Sequence, residues 1–214
     1  MIAWHMIWLM RLKPHYSLKI TIVKKSFIIS AMVLSSFILK AQDVSFGLKG
    51  GLNISSVKVS NTSANYDPRI SMHAGGLAHI HLTKQFAIQP EVVFSGQGFK
   101  TSGDEVYRLN YLNVPVLVQY MFDNGFRLQT GPQVGFLLSG KRHKDDVTVD
   151  VKDFYKQVGF DWAVGAGYLI PKTGFGLDAR FNFGIAKLND DSEADHRSGV
   201  FQVGVFYLLN QHWK

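Results

Sequence analysis

The chain has 214 residues and a formal net charge of +7, from 23 basic and 16 acidic side chains, and it has no cysteine. That length suits one domain with a leader, and the lack of cysteine excludes a disulfide framework and a thiolate metal site. The charge does not mark a nucleic-acid surface: residues 1–41 hold 6 basic residues and no acid, the remainder is nearly balanced at 17 against 16, and no basic stripe is interleaved with aromatics.

The leader comes first. Lys24-Lys25 is a basic n-region, and Ser26 to Leu39 is an apolar run of secretory length, too short to favour a spanning helix. Ala41 is a small residue at a cleavage point before Gln42, although Leu39 departs from the small-x-small pattern. Residues 1–41 are therefore expected to be a cleaved signal peptide, and 42–214 the mature domain. Residues 1–22, with Trp4 and Trp8, read as a spurious extension, with translation starting near Val23. The alternative is an uncleaved anchor helix.

Eight segments then repeat one pattern, an apolar side chain at every second position. A period of two belongs to a β-strand, whose successive side chains point to opposite faces. Val44, Phe46, Leu48 and Leu52 alternate with Ser45, Gly47, Lys49, Gly51 and Asn53 in the first segment. Ile70, Met72, Ala78 and Ile80 alternate with Ser71, His73, Leu77, His79 and His81 in the second. The third sets Phe86, Ile88, Pro90, Val92 and Phe94 against Gln89, Glu91 and Gln97; the fourth sets Leu112, Val114, Val116 and Val118 against Asn113, Pro115, Leu117 and Gln119. The fifth sets Phe126, Leu128, Val134, Phe136 and Leu138 against Arg127, Gln129 and Gln133; the sixth sets Val158, Phe160, Trp162 and Val164 against Gly159, Asp161 and Gly165. The seventh is the cleanest: Phe175, Leu177, Ala179, Phe181, Phe183 and Ile185 oppose Gly176, Asp178, Arg180, Asn182 and Gly184. In the eighth, Phe201, Val203, Val205 and Tyr207 oppose Gln202, Gly204 and Phe206.

Long polar segments, about 54–69, 98–108, 139–156 and 188–198, alternate with tight turns at Thr83-Lys84, Asp123-Asn124-Gly125 and Pro171-Lys172-Thr173-Gly174. An even strand number with long loops at one end and short turns at the other is the pattern of an outer-membrane barrel. The expected fold is all-β: an eight-stranded antiparallel up-and-down transmembrane barrel, its apolar face to lipid and its polar face inside. Outward aromatics fall at two levels. Phe86, Tyr120, Phe126, Tyr168, Phe175 and Tyr207 lie near the turns, and Phe94, Phe136, Phe160, Phe183 and Phe201 toward the loops. A soluble barrel of lipocalin type would invert the faces. Against it stands the glycine on the polar face, which weakens a solvated strand but makes room in a narrow lumen. Pro90, Pro115 and Pro132 each remove a ladder donor, so bulges or local openings are expected at some of them.

The strand Tyr111-Leu112-Asn113-Val114-Pro115-Val116-Leu117-Val118-Gln119-Tyr120 resembles the PorT-like outer-membrane β-barrel proteins of Bacteroidetes-type bacteria, in which a Tyr-Leu-x-(Ile/Val)-Pro-x-Leu-x-x-Tyr strand recurs. Gly47-Leu48-Lys49-Gly50-Gly51-Leu52-Asn53 is similar to that family's first strand, and the likeness covers roughly residues 42–210. The ending His212-Trp213-Lys214 differs from a barrel that closes on a terminal aromatic. The resemblance implies an integral protein of a Gram-negative outer membrane, its fold and location. PorT is linked to a secretion system, a role that remains an alternative.

Six charges are expected to face inward: Lys49, Arg127 and Arg180 against Glu91, Asp161 and Asp178. Charge in a poorly hydrated lumen is costly unless paired, which predicts an interior ion network joined by Gln89, Gln129, Gln133 and Asn182. The bland reading is a structural plug, and the sharper one a gated conduit. His79 and His81, with Glu91 on the adjoining strand, could reach one metal; neutral, hydrogen-bonded histidines are the simpler reading, and no cofactor is expected. No G-x-S-x-G, H-E-x-x-H or phosphate-binding glycine loop is present. The rim pairs His143 with Asp145 and Asp146, and His196 with Glu193 and Asp195, read as solvated surface. A non-enzymatic barrel is expected, in contact with outer-membrane lipid and displaying segments 139–156 and 188–198 to a possible protein partner. The alternatives are a narrow transporter or secretion component and a lipid-acting barrel enzyme.

Overall fold

The computed structural model describes residues 44–59, 67–101, 105–145, 147–185 and 196–209. The expected signal peptide, the expected start site, residues 188–195 and the last residues lie outside these. The described residues form nine strands and one short helical turn: β1 (Val44–Val59), β2 (Asp67–His81), β3 (Phe86–Lys100), β4 (Val106–Met121), β5 (Phe126–Lys144), β6 (Val147–Asp150), a 3-10 turn at Lys152–Phe154, β7 (Val158–Leu169), β8 (Phe175–Gly184) and β9 (His196–Leu208). Every pairing is antiparallel. The order β4-β3-β2-β1-β9-β8-β7-β5 closes on itself through β4 and β5, giving an eight-stranded barrel with β6 as an added flap on β5. Closure leaves the barrel wall without an edge, which is what a spanning sheet requires.

The three short turns form where expected, each held by its own side chain. Thr83 Oγ1 accepts from the Phe86 backbone N–H at 3.0 Å, Asn124 Oδ1 from Phe126 at 3.0 Å, and Thr173 Oγ1 from Phe175 at 3.1 Å. Such Asx and ST turns replace a backbone turn bond with a side-chain one. Gly125 takes φ 91°, a conformation that a residue without Cβ reaches at little cost.

Pro90 and Pro115 interrupt the ladder without shifting it. Between β3 and β4, pairing stops after Pro90↔Val116 and resumes in the same register at Val93↔Asn113. Between β4 and β5 it stops after Pro115↔Gln133 and resumes at Val118↔Thr130. Local opening, not a bulge, is thus the accommodation. Register shifts occur elsewhere: between Pro68 and His73 of β2, and between Asn110 and Tyr111 of β4 against β5.

The strands are taller than the alternation suggested. The expected loops 98–108 and 139–156 are largely strand, since β3 runs to Lys100, β4 begins at Val106 and β5 continues to Lys144 before folding back as β6. In these stretches polar and charged side chains such as Lys100, Arg108, Lys141 and Arg142 fall on both faces, so the period-two signal fades while the hydrogen-bond ladder persists.

Candidate functional site

The two faces of the wall are sorted as the alternation demands. Phe181 is 46% exposed, whereas Arg180 beside it is 2% exposed. Phe175, Leu177 and Phe183 also stand on the outer wall, and Asp178 and Asn182 are buried within. A soluble barrel with an apolar core is therefore excluded.

The middle of the lumen is crossed by a charge brace. Lys49 extends from β1, Glu91 from β3, and Asp178 and Arg180 from β8. In the closed order β3 and β8 stand opposite each other, with β1 midway between them. Arg180 Nη2 donates to Glu91 Oε2 at 2.6 Å, spanning the barrel. Lys49 Nζ lies 3.1 Å from Asp178 Oδ2 and 3.4 Å from Glu91 Oε2. Gln89 Nε2 donates to Glu91 Oε1 at 2.8 Å. Two cations and two anions meet with their side chains almost wholly buried. In such a site mutual attraction and good hydrogen-bond geometry must offset the loss of water.

A neutral chain of bonds extends the brace along one half of the wall. Arg180 Nε donates to Gln202 Oε1 at 3.0 Å, and Gln202 Nε2 to Asn53 Oδ1 at 2.9 Å. Asn182 Nδ2 donates to the same Gln202 oxygen at 3.0 Å. His73 Nδ1 lies 2.7 Å from Asn53 Oδ1, which makes it the donor because an amide oxygen only accepts. Asn53 Nδ2 donates onward to Ser95 Oγ at 2.9 Å. Glycines make room for these groups: a Cβ on Gly51 would stand 2.9 Å from His73 Cε1.

The six expected charges do not form one network. Arg127 lies nearer the short-turn end, donating to Gln119 Oε1 at 3.4 Å, with its guanidinium carbon 5.2 Å from the centre of the Phe206 ring. Asp161, on the opposite side of the brace, accepts from Gln133 Nε2 at 2.9 Å. Asp161 pairs with Gly184, well along β8 from Arg180, whereas Arg127 shares a register line with Asp178 through Gly167 but turns its guanidinium to Gln119 and Phe206. Gln129 accepts from Gln119 at 3.0 Å, away from the brace.

The alternation did not single out the two apolar layers that close the lumen. Leu77, Phe206 and Leu208 pack at the short-turn end with Leu169 against them. A Cβ on Gly176 would meet the Phe206 ring, so this glycine is what admits the ring. Leu109, Tyr111 and Leu137 form the layer toward the loops, joined by Tyr155. Leu77 and Phe206 were visible as large apolar residues on the polar face of their strands; Tyr155 lay in a segment read as loop. Segment 139–156 therefore divides. Its first half stands up as the β5–β6 hairpin, and its second half tucks into the mouth, with Val151 buried and its N–H bonded to Gly140 O at 2.9 Å.

Among the described residues no group of three His, Cys, Asp or Glu side chains is placed to hold a metal ion. His79 Nδ1 is 3.2 Å from Gln89 Oε1, His81 is exposed with its ring 4.5 Å from that of His79, and Glu91 is engaged by Lys49, Arg180 and Gln89. His143 is held by Thr148 Oγ1 at 2.8 Å.

The family described as Outer membrane protein beta-barrel domain matches residues 40–190. The chain belongs to that family. Neisserial surface protein A is similar in structure, with a TM-score of 0.52 at 13% identity, over 78% of this chain and 99% of that one. Ail, the attachment invasion locus protein of Yersinia pestis, gives a TM-score of 0.50 at 15% identity, over 78% of this chain and 100% of its own. At such identities the likeness is one of fold. No curated protein sequence matches the chain. As an outer membrane β-barrel domain, the chain meets lipid with its exposed apolar wall. Its aromatics supply a boundary at the short-turn end, where Phe86 and Tyr120, Tyr120 and Phe122, and Phe175 and Tyr207 are in ring contact at 5.2, 4.9 and 4.5 Å.

Proposed function

We propose that this protein is a non-catalytic scaffold of the outer membrane: a barrel whose lumen is shut and whose long-loop rim is shown to the exterior for structural or interaction roles. One observation carries the reading. Arg180 and Glu91, from opposite walls, meet at 2.6 Å in mid-lumen. Eight strands give an interior that side chains fill, and the apolar layers above and below the brace add two further barriers. The β5–β6 hairpin and the loops beside it are then the exposed working surface. Export through a cleaved signal peptide fits this placement. The strand from Tyr111 to Tyr120, with Pro115 buried, supports a PorT-like subgroup within the family, in which a secretion-system role would be exerted through contacts at the rim.

Planar-bilayer recording on the purified barrel tests the shut lumen. The expected trace is a quiet baseline. Stable, reproducible open steps would replace the scaffold reading with that of a narrow transporter. Hydrolysis or acyl transfer on outer-membrane lipids would replace it with a barrel enzyme.

A further inference from the structure

We infer that the short-turn half of the lumen holds a binding site for one small monovalent anion of halide size, formed by Arg127, Gln119 and Gln129. The scaffold reading gives this part of the lumen no role.

The charges of the lumen do not cancel locally. In the brace, Lys49 and Arg180 face Glu91 and Asp178, two against two. Asp161 lies on the other side of the brace, held by Gln133. Arg127 is the cation left over. It is 3% exposed, and among the described residues it forms no ion pair. A guanidinium stays charged inside a protein, and a buried charge without a counter-charge is costly. The Phe206 ring at 5.2 Å and one amide oxygen at 3.4 Å compensate it only in part. Phe206 also belongs to the apolar layer with Leu77 and Leu208, which keeps bulk water from screening the charge.

Register gathers the donors around this cation. Arg127 and Gln129 are alternate residues of β5, so both point inward, roughly 6.4–6.8 Å apart along the strand. Gln119 of β4 pairs with Gln129. Its oxygen accepts from Arg127 Nη1 at 3.4 Å, and its nitrogen donates to Gln129 Oε1 at 3.0 Å. The three side chains are thereby tied together, and two donors are left over. These are Arg127 Nε and Gln129 Nε2, both buried and both without a partner. On the β7 side Arg127 pairs with Gly167, where a Cβ would stand 3.3 Å from Arg127 Cγ, so no side chain covers the stem there.

Two unpartnered N–H donors beside one unmatched positive charge fit an acceptor that carries a single negative charge. A divalent anion would overcompensate the site and leave acceptors of its own unmet. The Asp178 carboxylate, reached from Arg127 through Gly167, does not fill the place. Its Oδ2 is engaged by Lys49 at 3.1 Å and lies 3.9 Å from Arg180 Nε. Its Oδ1 has no partner, so a water between that oxygen and Arg127 is the rival occupant. Such a water would satisfy hydrogen bonds but add no charge.

The test uses bromide as the probe, on the purified full barrel. Crystals grown with bromide are measured at the bromine absorption edge, and urea unfolding from lipid vesicles is followed in bromide–gluconate mixtures of constant ionic strength, gluconate being too large for the site. An anomalous peak against Arg127 Nε and Gln129 Nε2 is expected. The unfolding midpoint should rise with the logarithm of bromide concentration above the dissociation constant. Arg127→Gln should abolish both the peak and the rise. Gln129→Leu should move the response about tenfold to higher bromide, through loss of one hydrogen bond to a charged group. Arg142→Gln, at the rim, should behave as the native protein. A rise that persists in Arg127→Gln overturns the site, as does a peak with a flat bromide response, which marks an adventitious ion. An ordered water without anomalous signal gives the place to the rival occupant and rejects the anion. Should Arg127→Gln fail to give the folded gel band, the native peak and its midpoint shift decide: both together support the site, and the absence of either rejects it.

Discussion

Two buried arginines, Arg180 and Arg127, solve the same problem differently. Arg180 meets Glu91 at 2.6 Å and Asp178 at 3.9 Å, and its own Nε is bonded to Gln202. Arg127, nearer the short turns, has an amide oxygen at 3.4 Å and the face of Phe206. The first is compensated by charge drawn from the opposite wall, the second by an amide and an aromatic quadrupole close by. Both regions join strands that never pair in the sheet, β8 to β3 in mid-lumen and β5 to β9 at the short-turn end, but the first is held by charge pairs and the second by an amide and a ring. Removing a partner should cost far more in the first region than in the second.

The largest effect is expected from Glu91→Gln. It strands Arg180 and Lys49 against Asp178 alone and should destabilise the barrel by about 3–5 kcal/mol. The measurement is urea-driven unfolding from lipid vesicles, followed by heat-modifiable gel mobility. A loss no larger than that of a surface substitution would break the contrast. Phe181→Arg, which puts a cation on the exposed outer wall, should cost about 2–4 kcal/mol in the same assay, and a neutral result would contradict lipid contact there. Arg127→Gln should cost about 1 kcal/mol, since it removes a cation–π contact and a long hydrogen bond but leaves no carboxylate unpaired. A cost equal to that of Glu91→Gln would show that the short-turn end is as coupled as the middle.

The smallest effect concerns the rim. The hydrogen bond from Lys144 holds the Glu105 carboxyl below its usual value of 4.5. A depressed carboxylate contributes stability above the ordinary carboxylate range and loses it as pH falls through the folded-state value. The protection factors against amide exchange at Val106 to Leu109, taken relative to the unfolded chain at the same pH, should therefore fall at acidic pH in the native protein. The same fall in Glu105→Gln would detach it from this pair.

Much of this was legible in the sequence because a barrel strand announces itself by period. Phe175 to Ile185 against Gly176 to Asn182 assigned both faces of β8, and the same alternation set Lys49, Glu91, Asp178 and Arg180 on the inward side. The separation of Arg127 and Asp161 from it was not legible, since height within the lumen depends on stagger between strands. Nor was the inward turn of Val151 and Tyr155, because a polar-looking segment gives no periodic sign of which of its residues will be buried.

By itself the sequence determined which side chains face lipid and which face inward, and so the class of fold, because alternation and turn residues are local properties of the chain. The tertiary structure alone decided who meets whom across the lumen. Those contacts join residues far apart in the chain, and only closure of the sheet with a particular register brings them together.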